Sequence, residues 1–359
     1  MKTAQTISHR RLIQLHRDHR ESARAASLLY VTDSKPGIIR VKQGKGYRYI
    51  WQGKTLRNKK ELERIRQLAI PPSWTNVWIC PVADGHIQAT GTDMNGRKQY
   101  RYHADWHRLR TDTKFHRLFE FGKTLSRLRR KVRKDMMSRG LTEEKVIATI
   151  IDLMEKTYVR IGNNGYEKLY GSYGLTTLKD RHVTVGSEKI SLTFTGKKGI
   201  EHAISIRDRR LARIIKQCRD IPGKELFQYY TPEGNRKCID SGMVNNYIKI
   251  ATGDAFTAKD FRTWAGSLHA LQVLKKLGCP DSDTQLRKNI IIVFEEVSKK
   301  LGNSRNICKK YYVHPCLIQL YEEGKLDAML AGTLSTAYRG LSSEEKLLMQ
   351  VIKKSIAKA

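Results

Sequence analysis

The side chains best suited to chemistry in this chain are tyrosines and cations carried in five short runs: Tyr158-Val159-Arg160-Ile161-Gly162-Asn163, Tyr173-Gly174-Leu175-Thr176-Thr177-Leu178, Phe194-Thr195-Gly196-Lys197, Lys259-Asp260-Phe261-Arg262-Thr263-Trp264, and Leu301-Gly302-Asn303 through Tyr311-Tyr312. A phenol has a pKa of about 10 and attacks only with help. Guanidinium groups supply it by stabilising the phenolate and the charge that spreads over phosphoryl oxygens in a transition state. A lysine ammonium can then protonate a leaving oxygen. Each residue also has an ordinary structural use. An arginine such as Arg160 suits the last turn of a helix, a turn lysine such as Lys197 is solvated, Asn303 is a good helix cap, and Tyr312 can simply pack.

The absences narrow the field. The chain has no G-x-x-x-x-G-K-[ST], no G-x-G-x-x-G, no H-E-x-x-H and no EF-hand loop, which argues against ATP, dinucleotide and zinc enzymes. Its carboxylates fall in helix first turns, beside lysines or far apart, not in a cluster of the kind that holds two Mg²⁺. What is left for acting on a phosphodiester is a protein nucleophile among cations.

Composition agrees. The 359 residues contain 68 Lys+Arg against 35 Asp+Glu, a formal net charge of +33, so a polyanion is the natural partner, nucleic acid before a membrane surface. A membrane helix needs roughly 20 consecutive apolar residues, far more than the stretch 290–294 offers. Six scattered cysteines with no C-x-x-C spacing read as reduced thiols in a cytoplasmic protein, without disulfides or a zinc site.

These side chains must be positioned by two kinds of structure. Residues 1–36 read as a basic arm or helix. Residues 37–110 form a β-rich domain, with strand patterns at Ile38, Ile39 and Val41, at Tyr47, Tyr49 and Trp51, at 77–80 and at 86–92, and one helix near 59–68. Its run Gly96-Arg97-Lys98-Gln99-Tyr100-Arg101-Tyr102 interleaves cations and aromatics as a DNA-touching strand would, and equally as a guarded edge strand would. Residues 111–359 form a mainly helical domain. One helix opens near Thr142 and ends around Gly162, with Arg160 in its last turn. A β-meander over 175–178, 182–185 and 189–195 follows, and Gly196-Lys197-Lys198-Gly199 is a hairpin tip. Thr257 and Asp260 cap the helix of Arg262. Another helix runs from about Leu286 to a Gly302 stop, Asn303 or Ser304 caps the short helix of Tyr312, and Ser342 with Glu345 caps the last.

The five runs occur in the order seen in type IB topoisomerases, and the chain resembles the compact bacterial and poxvirus-like branch of that family from about Gly46 to Pro315. The resemblance implies an α+β fold, shared with tyrosine recombinases, in which a small β-rich N-terminal domain precedes a mostly helical catalytic domain with a small antiparallel β-meander. It implies that Arg160 and Arg262 are the catalytic arginines, Lys197 the hairpin lysine and general acid, and Tyr312, not Tyr311, the nucleophile. Asn303 stands where the poxvirus enzyme has histidine, and Asn163 where it has a DNA-contacting lysine. Arg97, Lys98, Gln99, Tyr100 and Tyr166 are the implied DNA contacts. The implied activity is relaxation of supercoiled double-stranded DNA through a 3′-phosphotyrosyl intermediate, resealed without ATP, metal or organic cofactor, by a monomer that clamps DNA in the cytoplasm, nucleoid-associated if the chain is bacterial.

Two rivals make different predictions. A tyrosine recombinase shares the Arg/Lys/Arg/Tyr chemistry but carries an H-x-x-R box, where this chain has Lys259-Asp260-Phe261-Arg262. A non-catalytic basic DNA-binding protein would need only the charge.

Overall fold

The structure is a computed structural model that describes residues 8–331 and 337–358, apart from the side chains of Arg10, Tyr166, Ala357 and Lys358. The expected DNA contact of Tyr166 thus falls outside the described side chains. The described residues form two compact units, divided between Arg117 and Leu118.

In the first unit, the stretch read as a basic arm or helix is two short helices, α1 (His9–Arg17) and α2 (His19–Ala25). Leu12 and Leu15 of α1 bury against Leu109, and Ala23 of α2 against Leu28 and Trp106. Then come β1 (Ile38–Gln43), β2 (Gly46–Trp51), β3 (Lys54–Thr55), α3 (Lys59–Gln67), β4 (Thr75–Ile79), β5 (Ile87–Thr92) and β6 (Lys98–Tyr102). The strands make one antiparallel sheet in the order β3-β2-β1-β4-β5-β6, so β6 is an edge. Ile38, Val77, Ile79 and Ala89 of the sheet enclose Ile65 of α3.

The division between units falls within α4 (Ala104–Met136). The second unit continues with α5 (Glu143–Thr157), α6 (Asn164–Tyr170), β7 (Val183–Val185), β8 (Lys189–Thr195), β9 (Glu201–Arg207), α7 (Arg209–Arg219), β10 (Gln228–Tyr230), β11 (Arg236–Cys238), α8 (Ser241–Thr252), α9 (Ala258–Leu277), α10 (Asp283–Leu301), α11 (Arg305–Tyr311), α12 (Pro315–Glu322), α13 (Leu326–Leu330) and α14 (Ser343–Lys358). Thr142, Asp208, Asp240 and Ser282 start α5, α7, α8 and α10 by accepting backbone N–H groups that the first turn leaves unpaired. α5 is buried along most of its length and packs against α7, α8 and β10. Phe121 of α4 meets Phe256, Phe261 and Trp264 edge-on, with ring centroids 5.3, 5.1 and 6.2 Å away. Arg129 of α4 joins Glu155 of α5 to Glu345 of α14, and Glu345 also accepts from Trp264 Nε1 at 3.1 Å. That network ties the α9 helix to three others.

Two sequence expectations are corrected. The helix after Thr142 ends at Thr157, not near Gly162, because Tyr158 takes a left-handed conformation (φ 58°, ψ 13°) and closes the last turn on Met154 O. Residues 175–177 form a 3₁₀ turn rather than a strand. Their β-branched content suits either, but the Thr177 hydroxyl accepts from Gly174 N–H at 2.9 Å and bends the chain. The meander is therefore β7-β8-β9.

Candidate active site

Arg160 lies beyond the end of α5, outside any helix, so the macrodipole does not hold it there. Its carbonyl accepts from Leu175 N–H at 2.9 Å, and that of Ile161 accepts from Thr176 N–H at 2.7 Å and Thr176 Oγ1 at 2.8 Å. Two glycines permit this pairing. Gly162 has φ +99°, and a Cβ on Gly174 would lie 2.5 Å from Gly162 Cα. The Tyr173-Gly174-Leu175-Thr176-Thr177 run thus positions Arg160. The guanidinium donates to Gly302 O at 3.2 Å and to Asn303 Oδ1.

Arg262 sits in the second turn of α9, whose start is fixed by Asp260 Oδ2 accepting from Thr257 N–H at 2.8 Å. It is only 4% exposed. Its guanidinium donates to Tyr158 O and, at 2.6 Å, to Leu301 O. The left-handed cap of α5 and the C-terminal end of α10 therefore orient it together.

Tyr312 follows α11 directly. Its carbonyl accepts from Ser267 Oγ at 3.2 Å, and Ser267 Oγ accepts from His314 N–H at 3.0 Å. A Cβ on Gly266 would come within 2.6 Å of Tyr312 O. Gly266 lies one helical turn beyond Arg262, on the same face of α9. That spacing lets the tyrosine segment lie on the helix and sets the Arg262 guanidinium 5.2 Å from the Tyr312 ring centroid.

Asn303 does not cap α11. Ser304 occupies the cap position without a side-chain bond, and Asn303 is engaged with Arg160. Only the amide oxygen can accept, so its Nδ2 is left over; that atom is buried and has no partner among the described residues.

Lys197 lies in the β8–β9 turn, closed by Gly196 N–H donating to Ile200 O at 2.7 Å. Together with Arg160, Arg262, Tyr311, Tyr312 and Lys259, it lines a cavity of about 460 Å³. Lys198, the next residue of the turn, takes a left-handed conformation (φ 66°) and does not line the cavity. His202, on β9, also reaches the site. Its ring packs between Gly196 and Gly302, where added Cβ atoms would lie 2.7 and 3.2 Å away. Burial first, then Arg160 and Arg262, push its pKa down. Only the position of His202, five residues after Lys197 on a returning strand, could have pointed to it.

Burial first and Arg262 second also push the Arg160 guanidinium below its usual range. Carbonyl and amide oxygens hold both arginines, and neither forms a salt bridge with a carboxylate among the described residues. A buried cation without a counter-charge is costly. Arg262, buried, and Arg160, half-buried, together leave a strong demand for an anion in a site lined by three phenols and two lysines.

In the first unit, the expected DNA contacts stand on edge strand β6 and the turn before it. Arg97 pairs with Asp93 at 2.7 Å, Gln99 Nε2 donates to the same carboxylate at 2.8 Å, and Lys98 pairs with Asp33 at 2.6 Å. Tyr100 is 42% exposed and stacks with Tyr102 at 5.7 Å.

The family model described as "Eukaryotic DNA topoisomerase I, catalytic core" matches residues 103–329, and "Bacterial DNA topoisomerase IB, N-terminal domain" matches residues 46–93. The chain is 33% identical over 294 residues to a protein named DNA topoisomerase 1B of Acanthamoeba polyphaga mimivirus, covering 80% of this chain and 88% of the relative. It is 21% identical over 240 residues to the DNA topoisomerase 1B of vaccinia virus (strain Copenhagen), covering 65% and 72%, and 21% identical to the DNA topoisomerase I of monkeypox virus over the same length.

Proposed function

The chain belongs to the type IB DNA topoisomerases, and we propose that it relaxes supercoiled duplex DNA through a covalent bond between Tyr312 and a 3′-phosphate. The Tyr312 hydroxyl attacks the scissile phosphorus, its proton passing to water as the phenolate forms. The bond to the 5′ oxygen breaks, and Lys197 protonates that oxygen as it leaves. Arg160 and Arg262 stabilise the charge on the non-bridging oxygens, and the Asn303 amide N–H₂ adds a neutral hydrogen bond. One phosphodiester is exchanged for another of similar energy, so the liberated 5′ hydroxyl can reverse the step without ATP. Between the two steps the downstream duplex rotates.

The observation that carries this reading is the pair of guanidiniums, Arg262 buried and Arg160 half-buried, both bound to neutral oxygens, with that of Arg262 set beside the Tyr312 ring. Arg160, Lys197, Arg262 and Tyr312 all belong to one unit of one chain, which supports action as a monomer. The test is plasmid relaxation with EDTA present and ATP absent. The parent relaxes the plasmid and Tyr312→Phe does not; a need for metal or ATP, or relaxation by the mutant, contradicts the mechanism.

A further inference from the structure

The β5–β6 turn contains a carboxylate with a full set of partners. Asp93 Oδ1 accepts from the backbone N–H groups of Asn95 at 2.9 Å and Arg97 at 3.0 Å, which folds the turn. Its other oxygen, Oδ2, accepts from Arg97 Nε at 2.8 Å and Nη2 at 2.7 Å, and from Gln99 Nε2 at 2.8 Å. The Asp93 side chain is 14% exposed, and these contacts hold its pKa below the usual carboxylate range although burial opposes them.

We propose that Asp93 is a specificity-determining positioning residue: it fixes the Gln99 amide so that the amide oxygen leads into the major groove of DNA and selects a base whose exocyclic amine lies in that groove, adenine or cytosine. A glutamine amide has a donor end and an acceptor end, and only its N–H₂ can bond to a carboxylate. The orientation of Gln99 is therefore set by chemistry. Its Oε1 has no partner among the described residues and is not one of their buried unpaired atoms. An amide oxygen repels phosphate oxygens, so its partner in DNA is a base-edge donor. In the major groove those donors are adenine N6 and cytosine N4, whereas guanine and thymine present O6 and O4 at the corresponding place. The second Nε2 hydrogen can add a bond to adenine N7, but it does not remove the oxygen's need for a donor.

Asp93→Asn reverses the logic. The two backbone N–H groups keep the Asn carbonyl oxygen in the Oδ1 place, so the new N–H₂ takes the place of Oδ2, and the Arg97 guanidinium, 35% exposed and now facing a donor, swings out to solvent. Gln99 must then turn its oxygen inward and offer its own N–H₂ to the DNA, a group suited to guanine O6 or thymine O4.

This inference rests on the topoisomerase reading, and its test separates the two. Covalent adducts are trapped on a duplex library and their positions sequenced for the parent and Asp93→Asn. In the parent, adenine or cytosine is favoured over guanine and thymine at one position by roughly two- to tenfold, the worth of one hydrogen bond. In Asp93→Asn the preference moves to guanine or thymine. A second arm needs no variant: in a favoured adenine-containing duplex, replacing that adenine by unsubstituted purine, which lacks the amine, lowers cleavage by the parent to the disfavoured level. An unchanged site profile in Asp93→Asn, or undiminished cleavage of the purine duplex, overturns this inference alone. Failure of the parent to form adducts on any duplex overturns the topoisomerase reading and this inference with it.

Discussion

Asn303 is the residue at which neutral and charged designs compete. Its oxygen holds Arg160 without cancelling the positive charge, so the site keeps two uncompensated guanidiniums. Asn303→Asp would give Arg160 a carboxylate partner and repel a phosphate; Asn303→Ala would remove one acceptor and one neutral donor. Removing a single donor to a transition-state oxyanion costs about 10²–10³ in rate at worst. Asn303→Ala should therefore cleave at most that much more slowly in single-turnover assays, and Asn303→Asp should be slower still. Equal rates for the two would show that charge on this side chain is immaterial. The residue types were legible in the sequence because they sit in ordered runs. The hydrogen bond from Arg160 to Asn303 was not, since it joins positions far apart in the chain and competes with an ordinary capping role.

At the scale of elements, most helices and strands near the site announce themselves by caps, turns and periodicity: the Thr257–Asp260 box, the Gly302 stop and the Gly196–Gly199 turn all stand where the sequence puts them. Two failures have local causes. The apolar stripe of α5 gives no sign of Tyr158 ending the helix, because a left-handed tyrosine is held by tertiary bonds. The turn at 175–177 was mistaken because threonine suits strands as well as hydroxyl-closed turns. The amphipathic α7 carries its signal openly, with buried Leu211, Ile214, Ile215 and Cys218 at helical spacing after the Asp208 cap. The shared face of α9 yields a prediction. Gly266→Ala places a methyl group against the Tyr312 backbone and should slow cleavage by about 10²-fold, the order expected when a reacting group is displaced by about 1 Å. Circular dichroism should show a folded protein. Unchanged cleavage would mean that the tyrosine segment does not depend on this contact.

For the whole molecule, a net charge of +33 makes DNA affinity strongly salt-dependent through counterion release. Stability should also depend on acid in a definite direction. Burial, with His9 second, pushes His116 down from its ordinary 6.5 to about 4. His19, His86, His182, His202 and His269 shift the same way, each chiefly through burial. These imidazoles take up protons more readily when unfolded. The stability of their neutral forms is complete above about pH 6.5 and is lost as pH falls toward about 4. The melting temperature should therefore drop between pH 7 and pH 5, and less steeply in His116→Gln. A flat profile over that interval would contradict the burial seen for these rings.

The most direct test of the account is the chemistry of the covalent complex. Duplex DNA labelled at one 5′ end on the scissile strand is incubated with the protein and denatured, and the labelled adduct is digested and sequenced by mass spectrometry. The predicted result is a 3′-phosphate linked to Tyr312, with a free 5′ hydroxyl on the downstream strand and no adduct in Tyr312→Phe. Attachment at Tyr311, a 5′-phosphate linkage, or an adduct that persists in Tyr312→Phe would contradict it.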